Sequence, residues 1–284
     1  YDINVLGTFS FKGTTLEARF GNPTPRIAEC TAGMINAVGL QNPGVHHVIE
    51  HELPELKTFF HKKVIANISG FSVAEYEECC RLIDQQEQVG LIEVNVSCPN
   101  VHGGGMAFGT CAESAAEVTR AFGQDAGHVE ELTAQIKKIA KQPVIMKLSP
   151  NVTDIVSIAK ACEDAGADGL SLINTLLGMR IDLKTKRPVI ANKMGGFSGS
   201  AIFPVAVRMV YQVANAVSIP VLGMGGVQNT EDALEFLMAG ATMVAVGTAN
   251  FFNPYVTSQI IDGLEEYVKK EKLSSIRDII GCVK

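Results

Sequence analysis

Short apolar runs rich in β-branched residues alternate with longer segments of helical period along the whole chain of 284 residues. This alternation is typical of repeated βα units around a parallel sheet. Seven runs qualify as strands, and each is nearly all apolar, as expected where both faces of a sheet are covered. They span residues 5–12, 64–69, 91–97, 144–148, 169–174, 221–223 and 243–247. The pattern predicts an α/β fold, a single (β/α)8 barrel domain over residues 1–284 with seven countable strands.

Two helices between these strands have clear end signals. Thr153 or Asp154 can cap a helix that is stopped by Gly166, and Thr230 opens another that ends at Gly240. Each helix is followed by the next strand after two or three residues. Connections as short as these are typical of a barrel.

Seven strands are one fewer than the usual closed barrel has, and the first begins soon after Tyr1. An N-terminal βα unit is expected to be missing, either because the sequence is a fragment or processed form or because the parent protein has lost that unit. We favour a fragment, since an open barrel would expose two unpaired strand edges. The alternative is a doubly wound sheet. That fold would need a crevice where the strand order reverses, and no sequence feature marks one.

The composition limits the classes of partner. A net charge of −6 without Lys/Arg clusters argues against nucleic acid, because phosphate binding needs a concentrated basic surface. No apolar run approaches the roughly 18 residues of a membrane span, and no signal peptide is visible. Seven scattered cysteines favour reduced thiols over a disulfide framework. We therefore predict a cytoplasmic protein that binds no membrane and acts on a small molecule.

Glycine-rich turns follow the last two strands, at the end of a barrel where active sites lie. Gly225 and Gly226 follow the strand at 221–223, Gly247 and Thr248 end the strand at 243–247, and Gly199 lies in a further glycine-rich run. Such turns let the backbone approach a ligand, and barrels commonly hold a phosphate there. The alternative is that the glycines only permit tight turns. Their joint position favours a phosphate-bearing ligand.

A cysteine follows the strand at 91–97. Alternation turns Asn95 into the barrel and leaves Cys98 and Asn100 at its mouth. Because an unperturbed thiol has a pKa of about 8.5, it can transfer protons near neutral pH, and Cys98 is the candidate base. The other thiols are expected to be buried and inert, as free cysteines commonly are. They are Cys30, Cys79, Cys80, Cys111, Cys162 and Cys282.

Two lysines and several asparagines lie near strand ends. Lys12 and Lys147 end the first and fourth strands, where a lysine can hold a carboxylate, a phosphate or a flavin edge. Amide groups both donate and accept hydrogen bonds, so a ring of them suggests an amide-rich heterocycle as ligand. The ring comprises Asn36, Asn67, Asn95, Asn100 and Asn174. No metal-ligand spacing, dinucleotide fingerprint or C-x2-C pair is present, so we predict no metal site.

Six segments resemble the class 1 dihydroorotate dehydrogenases, and they occur in the family's order. They span residues 19–26, 36–44, 95–100, 147–151, 174–176 and 223–226, and the likeness covers nearly the whole chain. A cysteine rather than a serine at position 98 resembles the soluble class 1 enzymes and not the quinone-dependent ones. Residues 103–110 and the Asn174-Thr175 pair are most similar to the B type.

The resemblance implies a TIM barrel that binds FMN and oxidises dihydroorotate to orotate in pyrimidine biosynthesis. Cys98 is implied as the base that removes the C5 proton, with hydride passing to the flavin. The implied substrate contacts are Lys12, Asn36, Ala37, Val38, Gly39, Leu40, Asn95, Asn174 and Thr175. The implied flavin contacts are Lys12, Asn67, Asn95, Lys147, Ile173, Gly199, Gly225, Gly226, Gly247 and Thr248.

The B type also implies a partner subunit that carries FAD and a [2Fe–2S] cluster and passes electrons to NAD⁺, within a heterotetramer built on a homodimer of this chain. Two departures from the family pattern stand out. The small-residue turn that touches the flavin after the family's first strand is missing, and Ser200 stands where the family usually has proline.

Three alternatives stay open at this point. A tRNA dihydrouridine synthase is also an FMN barrel with a catalytic cysteine, but its substrate requires a basic surface. An aldolase or isomerase barrel would bind phosphate without flavin. A non-catalytic scaffold would have lost its flavin site together with the missing segment.

Overall fold

The computed structural model describes residues 1–96 and 125–283. The described residues form twelve strands: β1 Ile27–Cys30, β2 Gly33–Asn36, β3 Val64–Ile68, β4 Val89–Asn95, β5 Val144–Lys147, β6 Gly169–Leu172, β7 Leu176–Met179, β8 Ile181–Asp182, β9 Arg187–Pro188, β10 Met194–Ser198, β11 Val221–Met224 and β12 Met243–Ala245. A parallel sheet contains β3, β4, β5, β6, β11 and β12, in that spatial order. Because neighbouring strands follow the chain order without reversal, the predicted barrel arrangement is confirmed and the doubly wound alternative is wrong.

The first predicted strand, at residues 5–12, is only partly correct. Residues Ile3–Val5 form a 3-10 turn. The chain then joins β3 through two isolated parallel bridges, from Ser10 to Ile65 and from Thr14 to Ile68. The Thr14 hydroxyl donates a 2.9 Å hydrogen bond to the Lys12 carbonyl, and such local bonds compete with a regular ladder. The segment therefore lies beside β3 as an irregular seventh strand.

Helices cover the outer face of the parallel sheet. Their bounds are α1 Val45–His47, α2 Leu53–Lys57, α3 Val73–Ile83, α4 Ala126–Ile139, α5 Ile155–Asp164, α6 Phe203–Ala214, α7 Thr230–Met238 and α8 Val256–Lys270. A π-helical turn, Val48–Glu52, joins α1 to α2. Short 3-10 turns at Ser200–Ile202 and Thr248–Phe251 precede α6 and α8, and another lies at Ile276–Ile279.

The predicted helix ends are confirmed to within one residue. Asp154 caps α5 by accepting hydrogen bonds from two backbone N–H groups of the first turn, and Gly166 follows the helix with a φ of 89°. Asn229 caps α7, one residue before the predicted start. Gly240 follows α7 with a φ of 113°, the left-handed conformation that glycine adopts most readily.

The parallel strands carry different residues on their two faces. Even-numbered residues pack against the helices and form the main core, among them Ala66, Ile68, Ile92, Val94, Val144, Met146, Leu170 and Leu172. Successive side chains of a strand point to opposite faces, so the odd-numbered residues of β3 to β6 face the barrel interior. Buried polar side chains occur on that interior face, at Asn67, Glu93, Asn95 and Ser171. The sheet thus places its polar groups inside the barrel.

A four-stranded antiparallel sheet in the order β1-β2-β10-β7 was not predicted. Strand β2 lies between the predicted strands at 5–12 and 64–69, where no strand was predicted, and it pairs with β1 and β10. These strands are four or five residues long and three contain glycine, so their hydrophobic alternation is weak. Because β7 starts four residues after β6 ends, this sheet adjoins the carboxyl ends of the parallel strands.

Within residues 1–96 and 125–283, no helix combines the length and the apolar character that crossing a membrane would require. The single domain over residues 1–284 stays a prediction.

Candidate active site

Polar residues of four neighbouring strands lie at two adjacent levels inside the barrel. Asn67 of β3 stands opposite Glu93 of β4, Asn95 of β4 opposite Lys147 of β5, and Lys147 opposite Ser171 of β6. Residues paired across strands point to the same face of the sheet. These five residues, here called the polar row, therefore place amide, carboxylate, ammonium and hydroxyl groups side by side.

Glu93 contacts three other members of the polar row, and it is only 1% exposed. Its Oε1 accepts a 2.7 Å hydrogen bond from Ser171 Oγ. Its Oε2 accepts a hydrogen bond from Asn67 Nδ2 and lies 3.6 Å from Lys147 Nζ. A buried carboxylate is strongly destabilising unless it is paired and hydrogen-bonded, and both oxygens of Glu93 meet that condition.

Asn95 is held from two sides. Asn174, just beyond β6, donates from Nδ2 to Asn95 Oδ1 at 3.2 Å, and Tyr76 of α3 donates its hydroxyl to the Asn95 carbonyl at 2.8 Å. Asn174 Oδ1 accepts the Thr175 N–H at 2.8 Å, while Asn151 donates to the Thr175 carbonyl at 3.0 Å. Three predicted substrate contacts, Asn95, Asn174 and Thr175, thus form one hydrogen-bonded group.

The predicted substrate loop at 36–40 approaches this group from the antiparallel sheet. Asn36 stands opposite Gly196 in the β2–β10 pair, and a Cβ on Gly196 would overlap Thr175 Oγ1. Gly39 and Leu40 have φ values of 77° and 56°. Left-handed backbone is uncommon for leucine and marks a constrained turn. The loop therefore lies beside Thr175, and its Leu40 has a backbone conformation that a leucine side chain disfavours.

The first segment of the chain connects the same loop to Asn67. A Cβ at Gly13 would stand 2.7 Å from Asn67 Oδ1 and 3.4 Å from Leu40 Cδ2, so the backbone passes closely between these two side chains. Lys12, the neighbouring residue, is exposed. An exposed lysine at this position leaves its ammonium accessible to an anionic ligand.

Three glycines come together at the ends of β10 and β11. Gly199, Gly225 and Gly226 have φ values of 115°, 129° and 84°, which side chains disfavour. A Cβ at Gly226 would stand 2.9 Å from the Gly199 carbonyl and 2.8 Å from Phe203 Cβ. We call these three residues the glycine turns. Neighbouring protein atoms already fill the space that a Cβ would need at each of the three, so only glycine allows the turns to pack this closely.

The end of β12 lies next to the glycine turns. Thr248 Oγ1 donates a 2.8 Å hydrogen bond to Ser198 Oγ, which joins the residue before Gly199 to the turn after β12. No atom lies within 4 Å of the position that a Cβ on Gly247 would take. Hydroxyl groups, backbone N–H groups and open space thus occur together, as a phosphate site requires.

Ile173 connects the two parts of the site. Its N–H donates to the Met224 carbonyl at 2.9 Å, and a Cβ on Gly225 would stand 3.2 Å from Ile173 Cγ1. Asn174, the next residue, belongs to the hydrogen-bonded group around Asn95. The polar row and the glycine turns therefore share one rim of the barrel.

Cys98, the predicted base, lies outside the described residues, as do Asn100, Cys111 and residues 103–110. Strand β4 ends at Asn95, three positions before Cys98 in the sequence. The role of Cys98 stays a prediction.

The thiols expected to be buried and inert divide into two groups. Cys79, Cys80 and Cys162 are buried, and burial raises the pKa of each to about 12, so almost no reactive thiolate forms at neutral pH. The expectation is wrong for Cys282, which is exposed, and for Cys30, which is half-buried. Cys30 ends the edge strand β1 and packs, only partly buried, against the small apolar cluster around Ile35. Cys282 follows the 3-10 turn at Ile276–Ile279.

Sequence reasoning missed Glu93, Ser171, Tyr76, Asn151 and Ser198. A signal existed for Glu93, because a carboxylate inside an apolar strand run has no water to face and must find a buried partner. Ser171 lies in a similar run. Tyr76 gave no signal, since an aromatic residue on the apolar face of a helix is ordinarily part of the core.

Comparison with known sequences agrees with this geometry. The profile of the dihydroorotate dehydrogenase family matches residues 1–268. A protein of Bacillus pumilus named dihydroorotate dehydrogenase B (NAD(+)), catalytic subunit is 54% identical over 281 residues, which cover 99% of this chain and 86% of the relative. A protein of the same name from Lachnoclostridium phytofermentans is 55% identical over 283 residues, or 100% of this chain and 89% of the relative.

A third relative is somewhat less similar in sequence. The relative of the same name from Malacoplasma penetrans is 49% identical over 281 residues, covering 99% of this chain and 87% of that protein. Identity at this level over nearly all of this chain, together with the family profile, is decisive. The chain belongs to the dihydroorotate dehydrogenase family of oxidoreductases.

Proposed function

We propose that this chain is the FMN-binding catalytic subunit of a B-type dihydroorotate dehydrogenase and oxidises dihydroorotate to orotate in pyrimidine biosynthesis. The observation that carries the proposal is the shared rim, where the polar row and the group around Asn95 adjoin the glycine turns. Family membership argues against the aldolase, isomerase and dihydrouridine synthase alternatives. The scaffold alternative requires a lost flavin site, and the features below argue against it.

The family is flavin-dependent, and the glycine turns suit the phosphate of FMN. A Cβ at Gly226 would crowd the Gly199 carbonyl, so only glycine lets these two turns come this close together. Thr248, Ser198 and the open space at Gly247 add hydrogen-bonding groups and room. Lys147 and Asn67 would meet the isoalloxazine ring. When bound, FMN supplies the hydride acceptor for C6 of dihydroorotate.

The substrate ring is an amide-rich heterocycle with a carboxylate, and the chain offers matching groups. Asn95 and Asn174, with the loop at 36–40, would hold the ring amides, while Lys12 would pair with the carboxylate. Cys98 would take the C5 proton. Fixed orientation of the ring matters because effective catalysis requires the reacting atoms at near-attack distance.

The flavin absorption spectrum tests the proposal. We expect the purified protein to show the flavin band and to lose it on addition of dihydroorotate. Cys98→Ser is expected to retain FMN and to slow this bleaching by about 10²–10⁴-fold at neutral pH, the usual contribution of a general base. No flavin band after addition of FMN would refute the proposed function, and unchanged kinetics in Cys98→Ser would refute the base alone.

The relatives' names contain both NAD(+) and catalytic subunit, which supports a partner for this chain. The proposed partner carries FAD and a [2Fe–2S] cluster and passes electrons to NAD⁺, in a heterotetramer built on a homodimer of this chain. The chain's own sequence has no dinucleotide fingerprint, which is consistent with this division of labour. A cytoplasmic location stays a prediction.

Turnover with NAD⁺ tests the partner. We expect dihydroorotate to bleach the flavin of the isolated chain, although the chain alone reduces NAD⁺ slowly. Adding the partner subunit is expected to restore rapid NAD⁺ reduction. Efficient NAD⁺ reduction by the chain alone would contradict the proposed division.

A further inference from the structure

We propose that Glu93 is a positioning residue that holds Lys147 and Asn67 against the bound flavin and, by offsetting the charge of Lys147, makes the flavin reduction potential more negative. The inference rests on the proposed function, because it needs a flavin beside the polar row. Glu93 is not among the proposed substrate and flavin contacts. Its contacts within the polar row indicate a positioning role.

The contacts of Glu93 point toward both residues proposed to meet the flavin ring. Lys147 and Asn67 reach the same carboxylate oxygen, Oε2, while the 2.7 Å hydrogen bond from Ser171 fixes the other oxygen. Lys147 comes from β5 and Asn67 from β3, on either side of Glu93 in β4. A shift of the carboxylate would therefore move both groups together.

Packing alone does not explain a carboxylate at this position. Ile65 and Ile145 point to the same face as Glu93, and Leu222 is opposite Ser171 in the register. Apolar residues thus fill neighbouring interior positions, and replacing a buried ion pair with apolar residues is often neutral or stabilising. A charged residue in this layer therefore needs an explanation other than space filling.

The charges of Glu93 and Lys147 give that explanation. Glu93 is 1% exposed, and the Lys147 side chain is 19% exposed, so water screens the pair weakly. Lys147 favours electron uptake by a nearby flavin because reduction adds negative charge. Glu93, 3.6 Å from the ammonium, opposes that effect. Removing the carboxylate charge would leave Lys147 uncompensated and make the flavin easier to reduce.

Glu93→Gln in the flavin-loaded protein is the direct test, because glutamine keeps the shape and loses the charge. We expect the midpoint potential of the bound flavin, measured by equilibration with a redox dye, to become more positive. A tenfold change in the reduction equilibrium corresponds to about 30 mV for a two-electron couple. We also expect FMN to dissociate faster, since Lys147 and Asn67 lose a common anchor.

Two controls separate charge from disturbance. Glu265→Gln removes a carboxylate from an exposed pair with Lys269 at 3.7 Å, and it is expected to leave the potential unchanged. Ser171→Ala removes a hydrogen bond to Glu93 but keeps the charge, so its shift is expected to be smaller than that of Glu93→Gln. An equal shift in Ser171→Ala would overturn the role of charge.

A further comparison covers the case in which Glu93→Gln does not fold. The double variant Glu93→Gln/Lys147→Gln has neither charge of this pair. It is compared with Lys147→Gln, in which Glu93 keeps its charge and its hydrogen bonds but has lost the cation. The double variant is expected to have the more positive potential. A flavin potential unaffected by loss of the Glu93 charge, in a protein that dihydroorotate still bleaches, would overturn the inference alone. A wild-type protein without such bleaching would overturn the proposed function as well.

Discussion

In the polar row, side chains from four strands meet at the buried carboxylate of Glu93, whereas the glycine turns present backbone at positions where no side chain fits. The polar row depends on side chains that are present and paired. The glycine turns depend on the lack of a side chain at three positions. Both regions lie on one rim, joined through Ile173.

The difference determines how each region tolerates change. Removing a partner from the polar row leaves a charge or polar group unpaired in the barrel interior, which is destabilising. Glycine has no side chain that a substitution could shorten, but adding a single methyl group in the glycine turns would make it collide with neighbouring atoms. Removing a side chain should therefore have its largest effect in the polar row, and adding one should have its largest effect in the glycine turns.

The largest expected effect comes from Lys147→Met, which leaves Glu93 buried without its cation. We expect the free energy of unfolding of the flavin-free protein to fall by about 3–5 kcal/mol, the usual result of breaking a buried pair. Urea unfolding measures the change, and the flavin-free state keeps ligand binding out of the comparison.

Lys137→Met is the matched control for that change. Lys137 pairs with Asp168, but the side chains are 25% and 41% exposed, so water replaces the lost contact. A loss of about 0–1 kcal/mol is expected, as for other surface pairs. Equal losses in the two variants would show that Glu93 is not an isolated charge when Lys147 is removed, and the contrast between the two halves would not hold.

The order of parallel strands could be predicted from the sequence because buried strands have continuous apolar runs, bounded by helices with strong caps such as Asp154. The antiparallel sheet could not be predicted. Strands β2 and β10 include Gly33, Gly195 and Gly196, and their pairing depends on contacts between segments more than 150 residues apart. The local sequence of a strand does not indicate such distant partners.

In the candidate site, too, some features could be predicted from the sequence and others could not. Strand-end residues such as Asn95 and Lys147 could be assigned to one rim because alternation and barrel topology fix their direction. The network around Glu93 could not, because which hydroxyl or amide reaches a carboxylate depends on the register between β3, β4, β5 and β6. Register is a property of the folded sheet, and a shift by one residue would turn every side chain to the other face.

Gly226→Ala is expected to have a smaller effect on stability and a specific effect on binding. The φ of 84° costs about 1–2 kcal/mol for alanine, and the contacts at 2.8 Å and 2.9 Å add about 1 kcal/mol of crowding. FMN affinity should also fall, because the methyl group would push the turn at Gly226 away from Gly199 and Phe203 and disturb the proposed phosphate site.

Gly166→Ala is the control, since its φ is 89° and no atom beyond its chain neighbours lies within 4 Å of the added Cβ. It should show the strain alone and bind FMN normally. If both variants lose the same stability and retain FMN, the glycine turns serve chain geometry and not the ligand.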